Sequence, residues 1–316
     1  MLAALRRRDF ALVWSAGLVS LIGDRALTTA LPFYVYQRTG STVASAALFA
    51  AIYLPLMLLG SVAGVFVDWW DRRRMMVTAS LIQAVTLVPV VLGRPDIWLV
   101  CLVGFVETSA AMFFHPAEQA LLPRLVEADQ LVPANALTGL NDNIARLVGP
   151  PIGGALLGFF GLGSVAAIDS ASFLLASALI ALVAKPVAAI DGRSVGTRVV
   201  AASGESLWRE WRDGLRLVRR DPFIAGLFVV LGLTSLAGTI IDPLYAPFVR
   251  SILHGGPTAL GWLSTAGAVG AVLAGLIVGR VGRAVSPWQM TAVGTVAAGV
   301  LRRVEDSLDV IHTTLR

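Results

Sequence analysis

Gly64-Val65-Phe66-Val67-Asp68-Trp69-Trp70-Asp71-Arg72-Arg73-Arg74 decides the fold, because two acids and three arginines stand abruptly between two long apolar segments. Residues 45–67 are apolar for long enough to cross a bilayer, and residues 75–92 start back across. A hydrocarbon core of about 30 Å needs about 20 helical residues, so each flank is a spanning helix. The charged run is therefore a tight turn at a membrane surface. Three adjacent arginines favour the cytoplasmic side, where positive charge is retained during insertion. Gly64, four residues before Asp68, lets another helix approach closely, and Asp68 is placed to bond backbone amides at the start of a neighbouring helix.

Composition agrees. Of the 316 residues, 56% are hydrophobic and only 14% charged, with a mean hydropathy of +0.77. Soluble domains carry about 25% charged residues. A transmembrane β-barrel would show short alternating strands in place of recurrent runs of roughly 20 apolar residues. The net charge of +5 and pI near 10.1 come from arginines at helix ends and in loops, so they are topology signals and not a nucleic-acid surface. Cys101 is the single cysteine, which excludes an internal disulfide. No cleavable signal peptide is evident after Arg6-Arg7-Arg8, because the apolar run there is too long.

Taken in order, the first helix covers residues 10–36 and carries Gly23-Asp24-Arg25 at its middle. Charges at that depth face a cavity or pair with one another and are functional candidates by default. The fourth helix starts at Ile97 and holds Glu107 near its centre; for His115, towards its inner end, a surface histidine at a helix terminus is favoured over a proton carrier. The fifth, from about Asn135, contains Asp142 and Arg146, four apart on one face and able to pair. It continues into Gly149-Pro150-Pro151-Ile152-Gly153-Gly154, where glycines permit close helix contact and proline bends the helix. The sixth covers 162–184, with Asp169 in its outer third. Residues 185–221 are hydrophilic, with Leu207, Trp211, Leu215 and Val218 at helical spacing among arginines, which predicts an amphipathic helix on the inner leaflet. A seventh helix runs from Pro222 to about Arg250, and an eighth covers 258–278. It ends in Gly275-Leu276-Ile277-Val278-Gly279-Arg280-Val281-Gly282-Arg283, a second copy of the opening pattern that begins 211 residues after the first.

The opening stretch resembles the loop signature between helices 2 and 3 of the major facilitator superfamily, Gly-x-x-x-Asp-Arg-x-Gly-Arg-Arg, with Trp69 and Asp71 at the two departures. That variant resembles the drug, macrolide and siderophore efflux branch. Gly149-Pro150 with Gly153-Gly154 resembles the helix 5 motif of antiporters, with Ala145 where the motif has an earlier glycine. The resemblance covers nearly the whole chain. It implies an all-α polytopic bundle of two six-helix halves that rock about a central cavity, exporting an amphipathic small molecule in exchange for protons. A proton-coupled site needs a carboxylate balanced between desolvation and a cation or substrate. Asp24, beside Arg25, and Glu107 are the best placed, with Asp142 and Arg146 as further cavity candidates. The alternative use of Asp24, Arg25, Asp142 and Arg146 is as internal ion pairs that hold helices in register. For Asp68, Asp71 and Arg72, Arg73 and Arg74, a role in gating and topology is favoured over substrate contact.

The expected organisation is a six-helix bundle (1–184), a cytoplasmic linker (185–221), an incomplete second bundle holding helices 7, 8 and part of a ninth (222–301), and a hydrophilic tail without family likeness (302–316). About eight complete spanning helices and a partial ninth follow, which reads as a C-terminally truncated transporter. Arg6, Arg7, Arg8, Arg72, Arg73, Arg74, Arg124, Lys185, the seven arginines of 193–220, Arg280 and Arg283 fall on inner connections, against Arg38, Arg94 and Arg250 outside. This places the N-terminus in the cytoplasm of a bacterial cell and the chain in its cytoplasmic membrane. Lipid, a small-molecule substrate and protons are the expected partners, with no cofactor, metal or nucleic acid. No phosphate-binding loop of the Gly-x-x-x-x-Gly-Lys-Ser/Thr type occurs. An intramembrane enzyme would need a ligand or nucleophile cluster at membrane depth, and His115, His254 and His312 are far apart in sequence. A non-transporting remnant or interaction protein remains the alternative reading.

Overall fold

The computed structural model describes residues 4–93, 95–184, 212, 216, 218–220 and 222–281. Among the described residues it is helical throughout, without strands. Eight long helices follow one another: α1 (Arg8–Thr39), α2 (Thr42–Trp69), α3 (Arg72–Leu92), α4 (Ile97–Leu121), α5 (Leu131–Phe160), α6 (Leu162–Ala181), α7 (Pro222–Ile241) and α8 (Pro257–Val281). The chain divides into two compact units, Met1–Ser264 and Thr265–Arg316. The second is described only over the last turns of α8, residues 265–281.

Local chemistry sets the helix ends. α1 stops at Gly40, whose positive φ of 61° lets its amide close on the Tyr36 carbonyl at 2.8 Å. Asp71 caps α3 by accepting from the Arg74 amide, and Asp96 caps α4 by accepting from the Leu99 amide, both at 2.8 Å. Of the opening motif, then, Gly64 and Asp68 lie in the last turns of α2, Asp71 is a cap and Arg72, Arg73 and Arg74 form the first turn of α3. Arg73 reaches across to α6, donating through Nε to the Ile180 carbonyl at 3.1 Å and through Nη2 to that of Ala181. A cation at a helix C-terminus satisfies orphan carbonyls and opposes the helix dipole.

Among the described residues, six helices have a segment long and apolar enough to span: α1, α2, α3, α4, α6 and α8. α5 is also long enough, at 30 residues, and carries Asn141, Asp142, Asn143 and Arg146 along its length. Outward-facing Leu81, Val85 and Leu92 on α3 and Trp98 and Leu102 on α4 are exposed, as lipid contact requires.

α1 is the central helix, packed along α5 and α6, while α3 lies along α4 and α6 and α2 lies along α4. Two apolar layers form. One gathers Phe10, Val13, Met76, Phe114, Leu121 and Ile180 near the start of α1. The other gathers Leu27, Leu31, Leu48, Leu87, Val100 and Val165 towards its far end. Between them along each helix lie the buried polar side chains Ser20, Gln83, Glu107, Asn141, Asp169 and Ser172. Several tie helix to helix. Trp14 Nε1 donates to the Leu137 carbonyl at 3.0 Å, Asn141 Nδ2 returns a bond to the Trp14 carbonyl at 2.9 Å, and Ser170 Oγ donates to the Ala84 carbonyl at 2.9 Å.

Four expectations change. α5 begins at Leu131, not near Asn135, because Pro133 is tolerated in a first turn whose amides have no helical partner anyway. α4 continues through Pro116 to Leu121, so His115 is inside the helix and not at its end. The seventh helix stops at Ile241, where Asp242-Pro243 starts a short 3-10 turn that passes through one helical turn into a π turn at Phe248–Ile252. Asp142 does not pair with Arg146, as shown below. Within the expected amphipathic linker, Arg212, Arg216, Val218, Arg219 and Arg220 are helical, and its remainder lies outside the described residues. The ninth helix, the tail, Gly282 and Arg283 also lie outside them, whereas Gly275 and Gly279 fall in α8.

Gly149 and Gly153 turn the helix 5 motif towards α1. A methyl group on Gly149 would meet Arg25 Cβ at 2.5 Å, and one on Gly153 would overlap the Ala26 backbone. Gly153→Ala is therefore expected to destabilise by about 1–3 kcal/mol, the usual cost of overpacking. Gly139→Ala, in the same helix with open space at its Cβ, should gain about 0.5–1 kcal/mol. Thermal unfolding of the two purified variants in detergent, with shifts of opposite sign, checks both.

Candidate functional site

The polar layer opens into a cavity of about 660 Å3 between α1, α2, α4 and α5. Asp24, Arg25, Glu107 and Arg146, four residues singled out from the sequence, all line it. They come from three helices, and α1 supplies its pair because Gly23 and Ala26 on the opposite flank are buried against neighbouring helices. The apolar wall includes Leu31, Ile52, Leu56 and Met112, and Phe49 and Tyr53 stack one turn apart on α2 with ring centroids at 6.3 Å. Acid, base, aromatic face and aliphatic surface together make an amphipathic chamber of a size suited to a small organic molecule.

Glu107 is 5% exposed, and neither carboxylate oxygen has a hydrogen-bond partner. Its backbone carbonyl accepts from Gln83 Nε2 of α3 at 3.4 Å. Asp142, the fifth candidate, faces Arg25 across the α1–α5 seam, with Nη2 and Oδ1 3.8 Å apart, and does not bond to Arg146 in its own helix. The long α1 side chain reaches Asp142 more readily because Gly149 leaves its stem room.

Gly154 shows the other side of the helix 5 motif. A Cβ there would meet the Pro257 carbonyl oxygen at 2.5 Å, and Thr258 Oγ1 donates to the Gly154 carbonyl at 3.5 Å. The carbonyl of Pro150 approaches Gly261 as closely. Gly149, Pro150, Gly153 and Gly154 thus form a seam with α1 on one side and the start of α8 on the other. None of the four lines the chamber.

Sequence reasoning passed over three participants. Asp169 of α6 is 1% exposed, has Oδ2 unpartnered, and sits so close to α1 that Gly23 has no room for a side chain. An acid in an apolar run was the available signal, the same one that marks Glu107. Tyr53 donates to Asp242 Oδ2 at 3.1 Å and Tyr36 bonds Ser251 at 2.9 Å, which ties α2 and α1 to the irregular segment after α7. Aromatic residues in apolar helices carry no such mark. Among the described residues, no group of three or more His, Cys, Asp or Glu side chains is placed to hold a metal ion.

The Arg25 and Asp142 side chains are 33% and 50% exposed, and ion pairs this open contribute about 0–1 kcal/mol. A double-mutant cycle with Arg25→Gln and Asp142→Asn, read by thermal unfolding, should give a coupling no larger than about 1 kcal/mol. A larger one would make the pair a staple between α1 and α5.

Residues 1–304 match a family described as transmembrane secretion effector. The chain is 27% identical over 278 residues to macrolide efflux protein A of Streptococcus pyogenes, covering 86% of this chain and 66% of that protein. It is 27% identical over 308 residues to the multidrug efflux pump Tap of Mycolicibacterium fortuitum, covering 94% and 71%. The chain thus spans about two thirds of the length of these curated relatives. In fold it is similar to the crystal structure of a bacterial homologue of the human lysosomal transporter Spinster in an inward-facing, unoccupied conformation. The TM-score is 0.69 at 15% identity, over 89% of this chain and 65% of that one.

Proposed function

The chain belongs to the transmembrane secretion effectors, an efflux branch of the major facilitator superfamily, and from that premise we propose that it serves proton-coupled export of a small amphipathic compound. Members of this superfamily are transporters and not enzymes. The observation that carries the reading is Glu107, a buried carboxylate with both oxygens unpartnered, facing a chamber that Asp24 also lines. A carboxylate away from water is tolerated when it is paired or takes up a proton. In this scheme Asp24 and Glu107 alternate between protons and substrate, while Arg25 and Arg146 bias them electrostatically. Phe49, Tyr53 and the aliphatic wall take the apolar body of the compound. Macrolides are the first class to test, since a macrolide efflux protein is among the relatives.

The same reading sets the chain in a bacterial cytoplasmic membrane with its N-terminus inside. Arg7 pairs with Glu127, Arg73 with the end of α6, and the Ala184 amide with Asp9. These contacts gather the arginine-rich connections at one end of the bundle, and the charge rule puts that end in the cytoplasm.

Liposomes holding the 316-residue chain, with an imposed pH gradient and a radiolabelled macrolide, test the transport reading. Saturable flux is expected, and Asp24→Asn or Glu107→Gln should slow it by about a hundredfold, the scale of losing a positioned proton carrier. Unchanged gradient-driven flux in both variants and in their combination would eliminate the assignment.

Topology is read separately in a Cys101→Ala background. An impermeant maleimide applied to intact cells should label Ser41→Cys and leave Ser203→Cys untouched. The opposite pattern inverts the orientation.

A further inference from the structure

A second, much smaller void adjoins Asp24 on the side away from Arg146. It measures about 40 Å3 and is lined by Gly17, Ser20, Gln83, His115 and Glu118, with Asp24 at one end. One water molecule needs roughly 10–15 Å3. Among the described residues, Asp24 is the one titratable residue that lines both this void and the large chamber.

Glu118 is 8% exposed, and its carboxylate lies against α1 where Gly17 has no side chain; a Cβ there would stand 3.3 Å from Oε1. Gly17 and Asp24 are seven residues apart on one face of α1, about 10 Å along the axis. His115 lines the same void. It is one turn from Glu118 on α4, its Nδ1 is 3.9 Å from Glu118 Oε2, and 48% of its side chain is exposed. Glu118 is also three residues from the end of α4, at the end of the bundle that carries the Arg7–Glu127 pair. Other charged groups surround the path: Arg25 on α1, Glu107 on α4, Asp142 and Arg146 on α5, and Asp169 on α6.

We propose that His115 and Glu118 form a proton station connecting Asp24 with the arginine-rich end of the bundle, so that protons leave the chamber by this side path while the substrate uses the large one. The proposal rests on the proton-coupled reading above. Each step is a proton transfer without redox change. The Asp24 carboxyl O–H bond breaks and the proton reaches His115 Nε2 by way of water in the void that both residues line, leaving its electron pair on the Asp24 oxygen. Nδ1 then releases its proton to Glu118 Oε2 by way of water in the void, because the two atoms stand 3.9 Å apart, too far for a direct hydrogen bond, and the imidazole returns to its neutral state with the tautomer reversed until the ring reorients. Histidine suits this role because it holds and gives up protons in the physiological pH range.

The test separates exchange from driven transport. Liposomes holding the full chain are assayed for counterflow of a radiolabelled macrolide, which needs no net proton movement, and for uptake driven by an imposed pH gradient. His115→Gln and Glu118→Gln are expected to keep counterflow and to lose gradient-driven uptake by about a hundredfold, with Glu118→Asp restoring most of it. Gradient-driven uptake unchanged in both Gln variants overturns the proposal. So does loss of counterflow in both that Glu118→Asp does not restore, because the residues are then structural. An unsubstituted chain that shows counterflow but no response to the gradient removes the proton-coupled reading itself and the station with it, a result distinct from either.

Discussion

A polar side chain in the middle of a membrane-spanning bundle has no water to return to, and much of this architecture answers that constraint. Gln83, Asn141 and Ser170 each donate to a backbone carbonyl of a neighbouring helix. Interhelical bonds of this kind contribute about 0.6 kcal/mol on average in membrane bundles. Their larger effect is on register, because each fixes one helix axially against another. Apolar layers above and below keep the polar layer out of lipid. The acids left without partners, Glu107 and one oxygen of Asp169, mark where this satisfaction stops.

Small residues decide which helices meet there. Gly23 admits the Asp169 carboxylate, Gly17 admits that of Glu118, and Gly153 brings the backbone of α5 onto that of α1. In each case a side chain is replaced by contact with a neighbour, so α1 can be the axis of the first unit while carrying Asp24 and Arg25. Proline at 150 and 151 does not interrupt α5, which is packed closely against α1 on one side and the start of α8 on the other.

Long helices were the most legible part of the sequence, since apolar length and arginine placement are one-dimensional signals. The turn at Asp71 to Arg74 was also readable, through its charge run. Four of the five cavity candidates meet at one chamber because charge inside an apolar run forces that outcome. Partner choice was not readable. Asp142 and Arg146 share a helix face, yet Asp142 meets Arg25, since the distance across a seam depends on glycines whose opposite neighbour the sequence does not name. His115 was placed too near the helix end, whereas α4 absorbs Pro116 and runs on to Leu121. The break after Ile241 was hidden in the same way, as Asp-Pro is compatible with either a helix start or a stop.

The two tyrosine contacts to the segment after α7 bear on how that side of the chamber would open. Tyr53 with Asp242, and Tyr36 with Ser251, are hydroxyl contacts at the margin of the chamber. A hydrogen bond contributes about 0.5–1.5 kcal/mol when neutral and about 1.5–3 kcal/mol when one partner is charged. Together they hold α1 and α2 against that segment by roughly 2–4.5 kcal/mol, equivalent to ratios between about thirty and two thousand to one for contact made over contact broken. A fastening of that strength holds at rest but yields to thermal fluctuation, so α1 and α2 are tethered to the segment after α7 without being locked to it.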